Sequence, residues 1–190
     1  MLTQEQQSFY ETNGYLVMPL FTPAEARHLC DHYMRLREQG SYPGDLVGIA
    51  VDLTSEDPLR RYPRMIQMHE WDETSLRWLL DARLKECLTA WLGREPYAVQ
   101  TMLYFKPPSA RGQALHQDNL YLKVQPGTCM AAWLALDPCD EENGCMRVVP
   151  GSHAWPIRQS PRSVYSMPPK NRESICTSAT ICGSMTACRK

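Results

Sequence analysis

The chain has 190 residues, of which 43% are hydrophobic and 22% are charged, as expected for an ordinary globular domain with a sizeable core. Its 20 basic and 21 acidic residues give a net charge of −1, which predicts neither a nucleic-acid partner nor an anionic membrane partner. There is no membrane-length apolar run and no secretory pattern, and the eight scattered cysteines lack a C-x-x-C, so we expect free thiols and a cytoplasmic protein.

Two helices are predicted near the N-terminus. Residues Thr3–Gln6 have the pattern of a capping box, and Gly14 is a natural helix stop. Between this helix and the next, residues 15–20 are predicted to form a strand that Pro19 marks as an edge or an end. The run Thr22-Pro23-Ala24-Glu25 combines an N-cap, a proline at the first helical position and an acidic third residue, which predicts a second helix.

A long loop and a third helix are expected next. The loop covers residues 41–63, which are rich in proline and glycine, and the helix covers residues 74–92, up to Gly93. Apolar residues recur on one face of this helix, which predicts core packing. They are Leu76, Leu79, Leu80, Leu84, Cys87, Leu88, Trp91 and Leu92.

The second half of the chain has the character of a β structure. Branched, aromatic and alternating apolar residues predict four further strands, bounded by proline and glycine turns. These strands cover residues 97–106, 119–124, 128–136 and 145–149. Because helices come first and strands later, the sequence predicts an α+β domain.

His116 and Asp118 are the strongest candidates for metal ligands. Residues i and i+2 of an extended strand point to the same side, so both side chains could reach one metal ion. An imidazole and a carboxylate, with a distant histidine, compose the facial triad of iron(II) oxygenases. His153 is the only later histidine, although Pro150-Gly151 before it favours a tight turn.

Two other interpretations of these residues stay open. His116 and Asp118 could form a solvated polar pair at the end of a strand, because a lone His-x-Asp is a weak motif. Together with His153 they could instead hold a zinc ion around an open water position, as in a zinc hydrolase.

The wider context of this motif carries a resemblance. The two stretches concerned read QTMLYFKPPSARGQALHQDNLYL and CMAAWLALDPCDEENGCMRVVPGSH, with the elements KPP, HQD, AW, ENGC and PGSH in order. They resemble the phytanoyl-CoA dioxygenase family of iron(II)- and 2-oxoglutarate-dependent oxygenases. The resemblance implies a double-stranded β-helix, a jelly-roll or cupin-like fold, with N-terminal helices. It also implies hydroxylation of an unactivated C–H bond of a small organic substrate, with molecular oxygen.

The resemblance also implies roles for individual residues. His116 and Asp118 match the iron ligands of the family. The residues that match contacts to the co-substrate 2-oxoglutarate are Met102, Gln117, Trp133 and Arg64. From pattern alone, Met102 and Trp133 would be core residues, and Arg64 would be a surface charge.

The C-terminal end departs from the family pattern. The family's distal histidine and its 2-oxoglutarate-binding arginine are not found, and the chain has about five predicted strands where a jelly roll has about eight. We therefore expect residues 1–156 to form the N-terminal part of an incomplete barrel and residues 157–190 to be an atypical, disordered tail. We expect a truncation or frame shift near residue 174. We also expect activity to be weak or absent. The alternative is a non-catalytic jelly-roll binding or scaffold protein.

Overall fold

A computed structural model describes residues 2–39, 52–108, 115–125, 128–157, 173–175 and 186–187 of the chain. The chain divides into two compact units: Met1–Ala26 with Gln113–Lys190 is unit 1, and Arg27–Gly112 is unit 2. The described helices are α1 (Gln4–Asn13), α2 (Pro23–Glu38), α3 (Pro58–Arg61), α4 (Glu73–Leu79), α5 (Ala82–Leu92) and α6 (Asn119–Leu122). The described strands are β1 (Met65–Ile66), β2 (Met102–Leu103), β3 (Thr128–Cys129), β4 (Met146–Val148), β5 (Glu173–Ile175) and β6 (Thr186–Ala187).

Helix α1 begins and ends where the sequence predicts. The Gln6 amide donates to the Thr3 hydroxyl over 3.2 Å, and the Thr3 amide donates to the Gln6 side chain over 2.9 Å, which is a complete capping box. Gly14 ends the helix at φ +78°, a left-handed conformation that favours glycine, and its amide donates to the Tyr10 carbonyl.

The predicted strand at residues 15–20 is absent, because this segment runs without strand pairing. Its alternating apolar character reflects burial instead. Tyr15 and Leu16 are buried, and Tyr15 packs against Val148 of β4 and edge-on against Phe9 of α1. The segment therefore fixes α1 to the core of unit 1 through side chains rather than through a β-ladder.

Two antiparallel strand pairs lie in the described part of unit 1. Strand β4 confirms the prediction at residues 145–149 and pairs with β5, whereas only the first two residues of the predicted strand 128–136 form β3, which pairs with β6. Both β5 and β6 lie in the segment 157–190, for which a disordered tail is expected. The domain boundary at residue 156 stays a prediction.

The prediction of a strand at residues 119–124 is wrong, because these residues begin with the single helical turn α6. The Leu122 amide donates to the Asp118 carbonyl over 3.0 Å, which is a helical contact. The Asn119 side-chain oxygen then accepts from the Val124 amide over 2.7 Å, and this bond closes the turn. The local hydrogen bonds of Asp118 and Asn119 thus override the alternating pattern.

Helices α2, α4 and α5 follow the sequence in part. Helix α2 starts at Pro23 as predicted, after a reciprocal pairing of Thr22 with Glu25. The single helix predicted over residues 74–92 is instead two helices, α4 and α5, which are separated at Leu80 and Asp81. Asp81 breaks the helix because its carboxylate accepts from the Arg83 amide and caps α5. The predicted core face is buried only in part, since Leu80 is 61% exposed.

Helices α2 and α4 are joined by a chain of polar contacts. The His32 Nε2 atom lies 3.0 Å from both carboxylate oxygens of Asp72, the N-cap of α4. Asp72 also accepts from the Ser75 amide and hydroxyl over 2.7 Å, and the Ser75 hydroxyl lies 2.9 Å from the Tyr33 hydroxyl. This network is mostly buried, so its hydrogen bonds hold α2 and α4 in one arrangement.

Strands β1 and β2 form an antiparallel pair in unit 2. Met65 faces Leu103 and Ile66 faces Met102, so only two residues of the predicted strand 97–106 are in a strand. In the predicted loop 41–63, residues 58–61 form α3, and residues 41–51 lie outside the described part. No helix in the described ranges has the length and apolar character needed to cross a membrane.

Candidate metal centre

His116 and Asp118 lie together in unit 1. The His116 Nε2 atom is 3.1 Å from the Asp118 Oδ1 atom, and the two side chains are 27% and 33% exposed. The sequence predicts that they meet on one face of a strand, but neither residue lies in a strand. Asp118 has helical backbone angles (φ −57°, ψ −38°) as the N-cap of α6, so the two side chains converge across a turn.

The donor set of this pair suits a divalent first-row metal ion. A neutral imidazole nitrogen and a carboxylate oxygen are two members of the facial triad of iron(II) oxygenases. Two such ligands bound at right angles, each about 2.1 Å from the ion, would stand about 3.0 Å apart. The observed separation of 3.1 Å is compatible with this spacing and equally with a direct hydrogen bond between the two side chains, so their role as metal ligands stays a prediction.

No third histidine, cysteine, aspartate or glutamate completes a metal cluster among the residues that the structure describes. His153 in particular has another role. Its Nε2 atom donates to the Glu11 carbonyl over 3.0 Å, so it satisfies an end carbonyl of α1. The interpretation of His116, Asp118 and His153 as a zinc site is therefore wrong.

Gln117 and Trp133 belong to the same unit as the His116–Asp118 pair. Gln117 is buried, and its side-chain amide donates to the Pro156 carbonyl over 3.4 Å. Trp133 is half-buried in an isolated bridge after β3. A contact of either residue with 2-oxoglutarate stays a prediction.

Arg64 and Met102 belong to unit 2. Arg64 is exposed and directly precedes β1, and Met102 of β2 is paired with Ile66 of β1. A contact of either residue with 2-oxoglutarate stays a prediction.

Two further residues near these candidates escape the sequence patterns. Gln67 follows β1 in the left-handed region at φ +55°, its amide donates to the Thr101 carbonyl over 2.8 Å, and its side chain accepts from the Thr101 amide. No pattern in the sequence predicts this pair of hydrogen bonds, because it joins residues far apart in the chain.

Tyr121 contacts the His116 ring. Residues three apart on a helix are neighbours, so the sequence would have placed Tyr121 beside Asp118 only if α6 had been recognised as a helix.

Comparison with known proteins identifies relatives over most of the chain. A family model described as phytanoyl-CoA dioxygenase (PhyH) matches residues 10–179. The peroxisomal phytanoyl-CoA dioxygenase of Mus musculus is 32% identical over 167 residues, covering 83% of this chain and 49% of the relative. Phytanoyl-CoA dioxygenase 1 of Oryza sativa subsp. japonica is 27% identical over 183 residues, covering 80% of this chain and 65% of the relative. The chain thus spans about half to two thirds of these relatives.

Solved structures share the fold. EvdO2 from Micromonospora carbonacea var. aurantiaca superposes with a TM-score of 0.64 at 17% identity, covering 98% of this chain and 86% of that chain. The same protein complexed with 2-oxoglutarate gives a TM-score of 0.61 at 18% identity, covering 94% of this chain and 78% of that one. This likeness is consistent with the predicted jelly-roll fold.

Proposed function

Because the chain belongs to the phytanoyl-CoA dioxygenase family, we propose that it serves as an iron(II)- and 2-oxoglutarate-dependent dioxygenase acting on a small organic substrate. The observation that carries this proposal is the 3.1 Å approach of His116 Nε2 to Asp118 Oδ1. This contact brings together one imidazole nitrogen and one carboxylate oxygen, which are two of the three donors of an iron(II) facial triad. The double-stranded β-helix belongs to the same proposal.

Iron(II) and 2-oxoglutarate, when bound, supply the oxidising chemistry, in which one atom of O₂ becomes a substrate hydroxyl, the other enters succinate, and CO₂ leaves. The chain's own residues bind the metal ion and orient the co-substrate. His116 and Asp118 would hold the metal ion. Arg64 offers a guanidinium to a carboxylate of 2-oxoglutarate, which it can bind with two parallel hydrogen bonds.

The remaining co-substrate residues shape the space around 2-oxoglutarate. Gln117 lies between the two ligands, and its buried amide is held by the Pro156 carbonyl, which limits the directions the amide can face. Met102 and Trp133 are half-buried apolar residues that match family contacts to 2-oxoglutarate. Each of these contacts is carried over from the family, position by position.

We also propose that the 190-residue chain binds iron(II) weakly and has low activity. Two protein ligands hold a metal ion less well than three, and no histidine follows His153 in the sequence. A non-catalytic jelly-roll binding or scaffold protein is the second candidate. It is favoured by the lack of a third ligand within the described ranges and by the engagement of His153 with α1.

The deciding experiment measures succinate formed from 2-oxoglutarate by the purified chain with iron(II) and ascorbate. Turnover that is lost in His116→Ala and kept in His28→Ala would support the dioxygenase. His28 is the matched control, because it is an exposed histidine of α2 in unit 2. No succinate, together with no binding of Co(II) as an inert substitute for iron(II), would reject the dioxygenase in favour of the scaffold protein.

The compartment of the protein is part of the proposal as well. The composition predicts a cytoplasmic location, whereas the Mus musculus relative carries the word peroxisomal in its name. A small-molecule substrate and molecular oxygen are the partners that the family suggests. Fractionation of cells that express a tagged chain, with a peroxisomal marker, distinguishes the two compartments.

A further inference from the structure

Tyr121 is held next to the candidate metal ligands by the short helix α6. Its amide donates to the Asp118 carbonyl over 3.0 Å, so the backbone of Tyr121 is tied directly to a candidate ligand. Asn119 at the start of α6 is buried, and Lys123 ends the turn in a left-handed conformation at φ +51°. These constraints fix where the Tyr121 side chain leaves the backbone.

The Tyr121 ring packs edge-to-face against the imidazole of His116. The ring centroids are 5.6 Å apart, and the ring planes meet at 75°. This arrangement is favourable because the positive edge of one ring meets the negative face of the other. Rotation of a histidine ring about its last side-chain bond is broad and soft, so a ring packed against it narrows the accessible orientations.

The exposure of Tyr121 shows that core packing does not explain its position. The residue is 63% exposed, although it belongs to the same turn as the buried Asn119. A tyrosine that served only the core would be largely buried. The Tyr121 ring contacts His116, whose Nε2 atom faces Asp118.

We propose that Tyr121 is a positioning residue that holds the His116 imidazole with Nε2 directed at the metal site. This inference rests on the proposed role of His116 as a ligand. The aromatic ring of Tyr121 orients the imidazole, and its hydroxyl group is not needed. A phenylalanine at position 121 should therefore keep this role, whereas a leucine fills similar space but supplies no aromatic ring.

The test uses Tyr121→Leu and Tyr121→Phe in the full chain, with Co(II) as the probe. Calorimetry gives the affinity, and visible absorption reports the ligand geometry. Tyr121→Leu should weaken Co(II) binding about threefold to tenfold and change the absorption spectrum, since ring pairs of this type contribute a modest energy. Tyr121→Phe should restore both. Leu122→Ala, in the next residue of α6 and 38% exposed, is the matched control and should change neither.

The outcomes separate this inference from the proposed function. Unchanged Co(II) affinity and spectrum in Tyr121→Leu, with binding lost in His116→Ala, would overturn the positioning role and leave His116 as a ligand. Equal effects of Leu122→Ala and Tyr121→Leu would also overturn it, because the effect would then belong to the helix. Binding that survives His116→Ala, or no binding by the wild type, would overturn the metal site itself and the inference with it.

Discussion

His153 packs its imidazole directly over Gly14 and donates from Nε2 to the Glu11 carbonyl, so one side chain closes the C-terminal end of α1. The carbonyl only accepts, which fixes the proton of a neutral His153 on Nε2. The adjoining turn adds a second bond, from the Gly151 amide to the Asn13 carbonyl over 2.8 Å. Two end carbonyls of α1 are therefore satisfied by a turn that follows far along the chain, 142 residues away for the His153 bond.

Replacing Gly14 with alanine should destabilise the protein. The residue has φ +78°, and an added methyl group would lie 2.7 Å from the Cβ atom of His153 and would overlap its ring. Left-handed strain and loss of the His153 hydrogen bond should together lower the free energy of unfolding by about 2–4 kcal/mol. Chemical denaturation of wild type and variant measures the difference.

Gly93→Ala is the control for this substitution. Gly93 ends α5 at φ +67°, and an added methyl group there would meet nothing within 4 Å. Gly93→Ala should lower the free energy of unfolding by the cost of the backbone strain alone, about 1–2 kcal/mol. An equal cost for the two variants would mean that the contact with His153 adds nothing.

His153→Ala should separate stability from metal binding. The variant loses the bond to the Glu11 carbonyl, so the free energy of unfolding should fall by about 1 kcal/mol. Its affinity for Co(II) should match that of the wild type, because the imidazole is engaged with α1. A loss of Co(II) binding as large as that of His116→Ala would show that His153 is a ligand after all.

Asp72→Asn should remove a pH-dependent part of the stability of unit 2. Burial by itself raises the pKa of Asp72, but hydrogen bonds from Ser75 and His32 outweigh it and lower the pKa below the ordinary value of 3.8. The folded pKa thus lies below the unfolded one. The carboxylate therefore contributes stability above pH 3.8, and this contribution is lost as the pH falls through the folded pKa.

The measurement compares wild type with Asp72→Asn by urea denaturation from pH 7 to pH 3. At pH 7 the variant should be less stable by about 1–2 kcal/mol, because it loses charge-assisted hydrogen bonds. The difference in free energy of unfolding between the two proteins should stay constant down to about pH 5 and become smaller at lower pH. A gap that does not depend on pH would show that the Asp72 charge adds no stability.

Arg64→Ala should affect 2-oxoglutarate and leave the metal ion alone. If Arg64 binds a carboxylate of the co-substrate, its removal should weaken 2-oxoglutarate binding about tenfold or more, as expected for a lost charge-assisted pair. Calorimetry with Co(II) already bound measures this affinity. Arg77→Ala removes an exposed arginine that is paired with Glu73 on α4, and it should have no effect. Equal affinities for both variants would exclude Arg64 from the co-substrate site.

The sequence predicts the ends of helices well where the deciding bonds are local. Thr3 and Thr22 each cap a helix within three residues, and Gly14 ends α1 as predicted. The break between α4 and α5 also had a local signal in Asp81, but the continuous apolar pattern hid it. A cap residue inside a periodic stretch is therefore better evidence than the periodicity around it.

The candidate site was predicted for a partly wrong reason. The approach of His116 to Asp118 was expected from strand alternation, but the residues meet because Asp118 starts a helical turn. The alternation of apolar residues in 119–124 fits a strand and a short helix equally well. Only the bonds to the Asp118 carbonyl decide between them, and no pattern in one sequence reveals those bonds.

The bond between His153 and Glu11 spans 142 residues, and it sets an order in which the protein can be completed during synthesis. At about 5–20 residues per second, the ribosome adds His153 roughly 7–28 s after Glu11. During this interval the whole of Arg27–Gly112 is produced and can close its own contacts, whereas α1 still lacks the turn that satisfies its end carbonyls. Helix α1 is thus made before Arg27–Gly112, but its end carbonyls are satisfied only after that unit has been synthesised.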